Sequence, residues 1–180
     1  MQLPKIKQIL FTEEMLKEKV AFLGRQITQD YQGLELVMIG VLTSSVYFFT
    51  DLTRAIDFPL MIDFIDLGYI SQSASQKGIV RITKDLELDI SDKHVIIVED
   101  IIRTGLTVGY LIQNLSSRMP ASIKICSLLV NPEQQIISIP IAYSGFEFSN
   151  SRLIGYGLDF GGAGRNLPYI AEVDRSDRVC

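Results

Sequence analysis

Histidine occurs once in this sequence and cysteine twice, and each scarcity removes a class of chemistry. With His94 as the only imidazole, placed at the mouth of an apolar run and read as a surface residue, a thiol nucleophile has no ready base. Cys126 falls inside the apolar run 123–130 and reads as core, while Cys180 is the last residue, a usage that fits a reducing compartment. Positive charge is not in excess either: 17 Lys and Arg stand against 21 Asp and Glu, a net charge of −4, so nothing points to a nucleic-acid or membrane-surface binder. No hydrophobic run approaches the roughly 18 residues of a membrane span, and the segment 1–7 carries no long apolar stretch. The expectation is a cytoplasmic protein. Internal repeats, low-complexity tracts and linkers are lacking as well, so the 180 residues are expected to form one domain with a sizeable core.

What is present centres on one stretch. Val95, Ile96, Ile97 and Val98 form a short β-branched run of the kind that is buried on both faces in a parallel sheet. The run ends in Glu99-Asp100 and opens through Ile101-Ile102-Arg103 into Thr104-Gly105-Leu106-Thr107, after which Val108, Leu111, Ile112 and Leu115 make a helix face that Pro120 ends. This order reads as strand, acidic pair, phosphate loop, helix. Hydroxyls and free backbone N–H groups at a helix start make an anion site, and adjacent acids at a strand's carboxyl end suit hydroxyls or a hydrated Mg²⁺.

Upstream, Thr12 is placed to cap a helix with Glu13 and Glu14 in its first turn, and Leu16, Val20, Leu23, Ile27 and Tyr31 recur on one face before Gly33 stops it. Leu36 to Leu42 reads as a buried strand. Thr43-Ser44-Ser45 then ends it and caps a second helix carrying Val46, Phe49, Leu52 and Ile56. Pro59 opens a strand from Leu60 to Leu67, and the small, polar segment from Gly68 to Gly78, with Tyr69, reads either as an ordinary hairpin loop or, by its length and tyrosine, as a lid. Ile79 to Thr83 returns as a strand and Asp85 to Asp92 connects to the central one.

Downstream, Ser122 to Val130 is a buried strand, 131–135 a turn, Ile139 to Phe148 a strand broken at Pro140 and Gly145, and Ile170 to Val173 a last short strand. Strand, loop, helix, strand is the βαβ pattern of an α/β fold with a mainly parallel twisted sheet. Gly155-Tyr156-Gly157 is no dinucleotide fingerprint, for the third glycine is missing and no helix pattern follows; no Walker A lysine loop occurs.

The central stretch resembles the phosphoribosyl diphosphate (PRPP) motif of the type I phosphoribosyltransferases. Together with 10–14, 51–57, Gly145-Phe146-Glu147, Gly155 to Asp159 and Arg165 to Tyr169, it occurs in the order and spacing of the hypoxanthine-guanine phosphoribosyltransferases, over nearly the whole chain. That resemblance implies a type I phosphoribosyltransferase fold whose small hood comes from the N- and C-terminal segments. It implies transfer of a phosphoribosyl group from PRPP to hypoxanthine or guanine, giving IMP or GMP and pyrophosphate with Mg²⁺, in a homodimer or homotetramer.

By the same resemblance Glu99 and Asp100 would hold ribose hydroxyls and a metal shell, Thr104, Gly105, Leu106 and Thr107 the 5′-phosphate, and Asp159 a second metal and the purine edge. Arg165 would hold the pyrophosphate, Thr43 and Ser44 its loop, Arg152 and Leu153 the base, and Tyr69 the closing lid.

Five places depart from the family. Arg103 stands where an aspartate exchanges a proton with purine N7, and arginine is never deprotonated in proteins. Pro140 stands where a lysine meets the 6-oxo group, Arg152 where an aromatic ring stacks, and Thr43-Ser44 where the diphosphate loop has Lys-Gly; the serine before the lid tyrosine is Gly68. Three readings follow: a purine transferase with a rearranged base pocket, a weak or inactive paralogue that binds PRPP or a nucleoside monophosphate as sensor or partner, and a transferase for another base.

Overall fold

The structure, a computed structural model, describes residues 4–70, 79–149 and 152–174. A six-stranded sheet holds β2 (Leu36–Leu42), β3 (Met61–Ile70), β4 (Ile79–Lys84), β5 (His94–Ile102), β6 (Ser122–Val130) and β7 (Tyr143–Glu147) in the order β4-β3-β2-β5-β6-β7. All neighbours pair in parallel except β3 with β4, which are antiparallel. Three helices cover it: α1 (Glu13–Tyr31), α2 (Val46–Arg54) and α3 (Leu106–Ser116).

Alternation along the apolar strands sorts the core into two layers. Met38, Ile96, Val98 and Cys126 face the side packed with Leu16, Leu23 and Ile27 of α1 and Phe48, Phe49 and Leu52 of α2. Val37, Ile39, Val95, Ile97 and Ile125 face Val108, Leu111 and Leu115 of α3. A continuous hydrophobic run is therefore what both helix layers require of β2, β5 and β6.

The connection after β2 crosses by α2 to β3 on one side, and the connection after β5 crosses by α3 to β6 on the other. The carboxyl ends of β2 and β5 thus form the topological switch point, where the loops splay and leave a crevice. A second, three-stranded sheet joins β1 (Ile6–Phe11), β9 (Ile170–Val173) and β8 (Arg152–Ile154) in the order β1-β9-β8, antiparallel throughout.

Several sequence expectations are revised. β1 is a strand the pattern did not announce, since its first four residues are exposed and no apolar periodicity marks them. β3 runs past Leu67 to Ile70 because β4 pairs with it as far as Ile70↔Ile79. The expected lid thereby loses its first residues to a strand, and 71–78 lie outside the described residues.

β5 likewise continues through the acidic pair to Ile102, held by pairs such as Glu99↔Ser127 and Ile102↔Val130 with β6. β7 starts only at Tyr143 and is not broken at Gly145; a Cβ there would lie 2.3 Å from the Leu128 carbonyl oxygen, so the glycine permits the close approach. Thr12 caps α1 by accepting from the Met15 N–H, but Ser45 does not cap α2. Its hydroxyl donates back to the Val41 carbonyl at 2.5 Å. Ile56 is buried beyond the end of α2, and His94 is half-buried, Nδ1 lying 2.8 Å from the Ser122 hydroxyl.

Candidate active site

A cleft of about 360 Å³ opens at the switch point, lined by Val41 and Leu42 at the end of β2, Ser44 after it, Leu67 of β3 and 99–105, Thr107 and Val108 from β5 into α3. The carboxylates in it are unusual. Glu99 is 7% exposed and Asp100 2%, and one Asp100 carboxylate oxygen, Oδ2, is buried with no hydrogen-bond partner.

Burial raises both acids: Glu99 lies well above the usual carboxylate range, with the Asp100 charge adding to the effect. Asp100 is pushed up to about 6 by burial, against the opposing pull of the Ser44 side chain, of backbone N–H groups and of the Arg165 charge. Two adjacent buried acids with an unsatisfied oxygen form a site that a hard cation or ligand hydroxyls would complete.

Beyond the acids the chain turns into α3. Gly105 is the N-cap in a left-handed conformation (φ 80°), with no side-chain cap. Thr104 Oγ1 accepts only a long 3.4 Å bond from the Leu106 N–H, and an uncapped first turn of this kind can donate to an anion. The loop is braced from behind, since the Thr104 carbonyl accepts from the Ile136 and Ile137 N–H groups at 3.0 and 3.2 Å, and the Asn131 N–H donates to the Ile102 carbonyl at 2.9 Å. Asn131, itself fully buried, accepts at its side chain from the Glu133 and Gln134 N–H groups. Beyond a turn after β6, no local pattern signals this brace.

On the other wall, Thr43 is exposed and Ser44 half-buried, and the Leu42–Thr43 peptide bond is cis. The loop after β8 packs against them so tightly that a Cβ on Gly157 would sit 1.9 Å from the Ser44 carbonyl oxygen. The same loop is tied to α2 by the Tyr156 hydroxyl, which donates to Asp51 at 2.7 Å. It carries Asp159 and Arg165, which form an ion pair at 2.7 Å; the arginine also donates to the Gly157 carbonyl at 2.6 Å, and Asp159 accepts from the Gly162 N–H at 2.7 Å.

The structure brings Glu99, Asp100, Ser44, Arg103, Thr104, Gly105 and Thr107 together around one cleft. Asp159 is not gathered with the acidic pair: among the described residues no three His, Cys, Asp or Glu side chains come together to hold a metal ion. Leu106 is half exposed at the start of α3, Leu153 is buried in β8 beside the exposed Arg152, and the Pro140 ring is exposed. Tyr69 belongs to β3, its backbone opposite Val80.

Arg103 is half-buried, its guanidinium 4.8 Å from the ring centroid of Phe148, a contact between residues too far apart in sequence for any local pattern to signal.

The phosphoribosyl transferase domain family matches residues 7–161 of the chain. A hypoxanthine-guanine phosphoribosyltransferase of Mycobacterium tuberculosis is 42% identical over 175 residues, 94% of this chain and 87% of that protein. One from Dictyostelium discoideum is 39% identical, over 93% of this chain and 95% of its own length. Among solved structures, a hypoxanthine phosphoribosyltransferase from Staphylococcus aureus superposes with a TM-score of 0.89 at 38% identity, over 94% of this chain and 92% of that one. A switch-point cleft with paired acids and an uncapped helix start, on a fold shared with these proteins over nearly its whole length, places the chain in the phosphoribosyltransferase family, among the hypoxanthine-guanine phosphoribosyltransferases.

Proposed function

We propose that the chain transfers the phosphoribosyl group of PRPP to hypoxanthine or guanine, forming IMP or GMP and pyrophosphate. The observation that carries the reading is the buried Glu99–Asp100 pair, with its unsatisfied oxygen, set directly before an uncapped helix start in one cleft. Ribose hydroxyls would donate to the carboxylates while the N–H groups of Gly105, Leu106 and Thr107 and the hydroxyls of Thr104 and Thr107 hold the 5′-phosphate. Holding the sugar at both ends fixes C1′ against the incoming base, and positioning of this kind is worth several powers of ten.

The donor set fits Mg²⁺, which is bound through one or two carboxylates plus a substrate's phosphates rather than in an all-protein cage. When bound, Mg²⁺ would supply positive charge to the departing pyrophosphate. Glu99 and Asp100 would hold it there, with Asp159 beside a second ion. Arg165, already fixed by Asp159 and the Gly157 carbonyl, would present its remaining N–H donors to the diphosphate next to the Thr43-Ser44 loop. The sheet β1-β9-β8 serves as the hood of a single domain in this reading, and Arg152 and Leu153 border the base.

A second reading, a binder of PRPP or a nucleotide that turns over slowly or not at all, is favoured by one observation, Arg103 in the cleft where it can accept no proton. Steady-state formation of IMP and GMP from PRPP and Mg²⁺ separates the two. The transferase reading expects turnover that falls by about a hundredfold in Thr107→Val, since a lost contact that positions the phosphate displaces the whole sugar. Tight PRPP binding with no nucleotide formed would leave the binder.

A further inference from the structure

If the chain transfers a phosphoribosyl group, the reading on which this inference rests, two walls of the cleft must hold one diphosphate between them. One wall is the Thr43-Ser44 loop, which runs directly into α2. The other is the loop after β8, with its ion pair of Asp159 and Arg165.

Three consecutive residues turn this second loop, and all three are left-handed: Gly155 at φ 103°, Tyr156 at 48° and Gly157 at 101°. Glycine takes such a conformation freely, whereas a residue with a Cβ holds it only where its surroundings fix it. The backbone is fixed by the 165–167 segment, since the Tyr156 N–H donates to the Leu167 carbonyl at 2.8 Å and the Gly157 N–H to the Arg165 carbonyl at 2.9 Å. The side chain is fixed by α2. The buried Tyr156 ring lies tilted against Tyr47, 6.4 Å between centroids, and its hydroxyl donates to Asp51 at 2.7 Å. Tyr47 and Asp51 are four residues apart in one helix and so present a single face to the tyrosine.

Both walls are therefore mounted on α2. The loop that leads into it sets the Ser44 carbonyl against Gly157, where an added Cβ would lie 1.9 Å away, and its Asp51 holds the preceding residue, Tyr156. Arg165 inherits that placement, because it donates to the Gly157 carbonyl at 2.6 Å and pairs with Asp159 at 2.7 Å.

We propose that Tyr156 is a positioning residue for the diphosphate: through its hydroxyl bond to Asp51 it sets Arg165 and Asp159 at a fixed distance from the Ser44 loop. It acts through Arg165 and not on the substrate. In this reading the 5′-phosphate and the base are held by other residues, so loss of the bond loosens the diphosphate end alone.

The test compares the parent chain with Tyr156→Phe, which keeps the ring and removes the hydroxyl, with Asp51→Ala, and with the double variant. The readouts are KM for PRPP, KM for hypoxanthine and the Kd of inorganic pyrophosphate with Mg²⁺ by calorimetry. Each single variant should raise the KM for PRPP and the Kd for pyrophosphate about tenfold, the size of one hydrogen bond, and leave the KM for hypoxanthine unchanged. The double variant should be no worse than either single, since both remove the same bond, and Asp51→Asn, which keeps an acceptor oxygen, should recover most of the loss. Tyr143→Phe is the control: its hydroxyl donates to Asp30 at 2.5 Å from the first residue of β7, outside the cleft lining, and its removal should leave all three constants unchanged. A Tyr156→Phe chain with parent constants, whatever its melting temperature, overturns this assignment and leaves the transferase reading standing. An equal rise in the KM for hypoxanthine, or additive losses in the double variant, does the same. A parent that forms no nucleotide overturns the transferase reading, and the pyrophosphate titration then decides the role of Tyr156.

Discussion

Gly157→Ala is the sharpest test of how the cleft is assembled. The added Cβ would lie 1.9 Å from the Ser44 carbonyl oxygen, about an ångström inside the 3.0 Å below which real Cβ contacts essentially never occur. Both partners are backbone, so no rotamer change relieves the overlap. The residue also sits at φ 101°, where an L side chain costs roughly 1–3 kcal/mol in strain. The loop that carries Asp159 and Arg165 must therefore move away from the Thr43-Ser44 loop by about an ångström or more, and a displacement of that size costs on the order of a hundredfold in rate.

We expect kcat/KM for PRPP to fall by about that factor, with stability lowered by about 1–3 kcal/mol in urea unfolding. Gly33→Ala is the control. Its φ is +84° but nothing lies within 4 Å of the added Cβ, so it should lose a similar amount of stability and keep its activity. A Gly157→Ala enzyme within about threefold of the parent would refute the argument that this contact sets the width of the site.

Three further predictions follow from the same structure. Burial raises Asp100 to about 6, so between the ordinary carboxylate range and that value the folded chain binds more protons than the unfolded one; its contribution is greatest at low pH and is lost as pH rises to about 6, by about 3 kcal/mol. In Asp100→Asn this loss should vanish from the pH dependence of urea unfolding; an identical slope in parent and variant would contradict it. Arg165→Lys keeps the charge but not the fork that bridges Asp159 and the Gly157 carbonyl, and should raise the KM for PRPP about tenfold or more at unchanged melting temperature. Leu23→Ala, at a fully buried position between α1 and the sheet, should cost about 2–5 kcal/mol in denaturant unfolding without changing kcat in folded protein.

The parts legible in the sequence are those where one periodicity has one cause. Leu36–Leu42 is a continuous apolar run and Ser122–Val130 a mostly apolar one, buried from Ile125 onward, because two helix layers cover them, and their bounds could be read directly. The face of α1 was equally plain. The strand β1 was not, because its exposed Lys and Gln side chains carry no pattern and only pairing with β9 makes it extended. The position of Glu99 and Asp100 inside β5 was hidden for a related reason: an acidic pair reads as a strand's end unless a neighbour such as β6 continues the ladder past it. At the site, the local motif from Glu99 to Thr107 announced itself. The contacts that shape the cleft did not: Gly157 on Ser44, Phe148 under Arg103 and the 131–137 brace behind Thr104 join residues that only the fold brings together.

The central claim is that the cleft at the switch point of β2 and β5 moves a phosphoribosyl group. A single-turnover reaction with PRPP labelled in the ribose, an excess of protein, Mg²⁺ and hypoxanthine tests it directly. The account predicts that the label passes into IMP with one pyrophosphate released per nucleotide, and that Asp100→Asn slows the transfer. Label that remains in PRPP, or emerges as free ribose 5-phosphate whether or not the base is present, would contradict it.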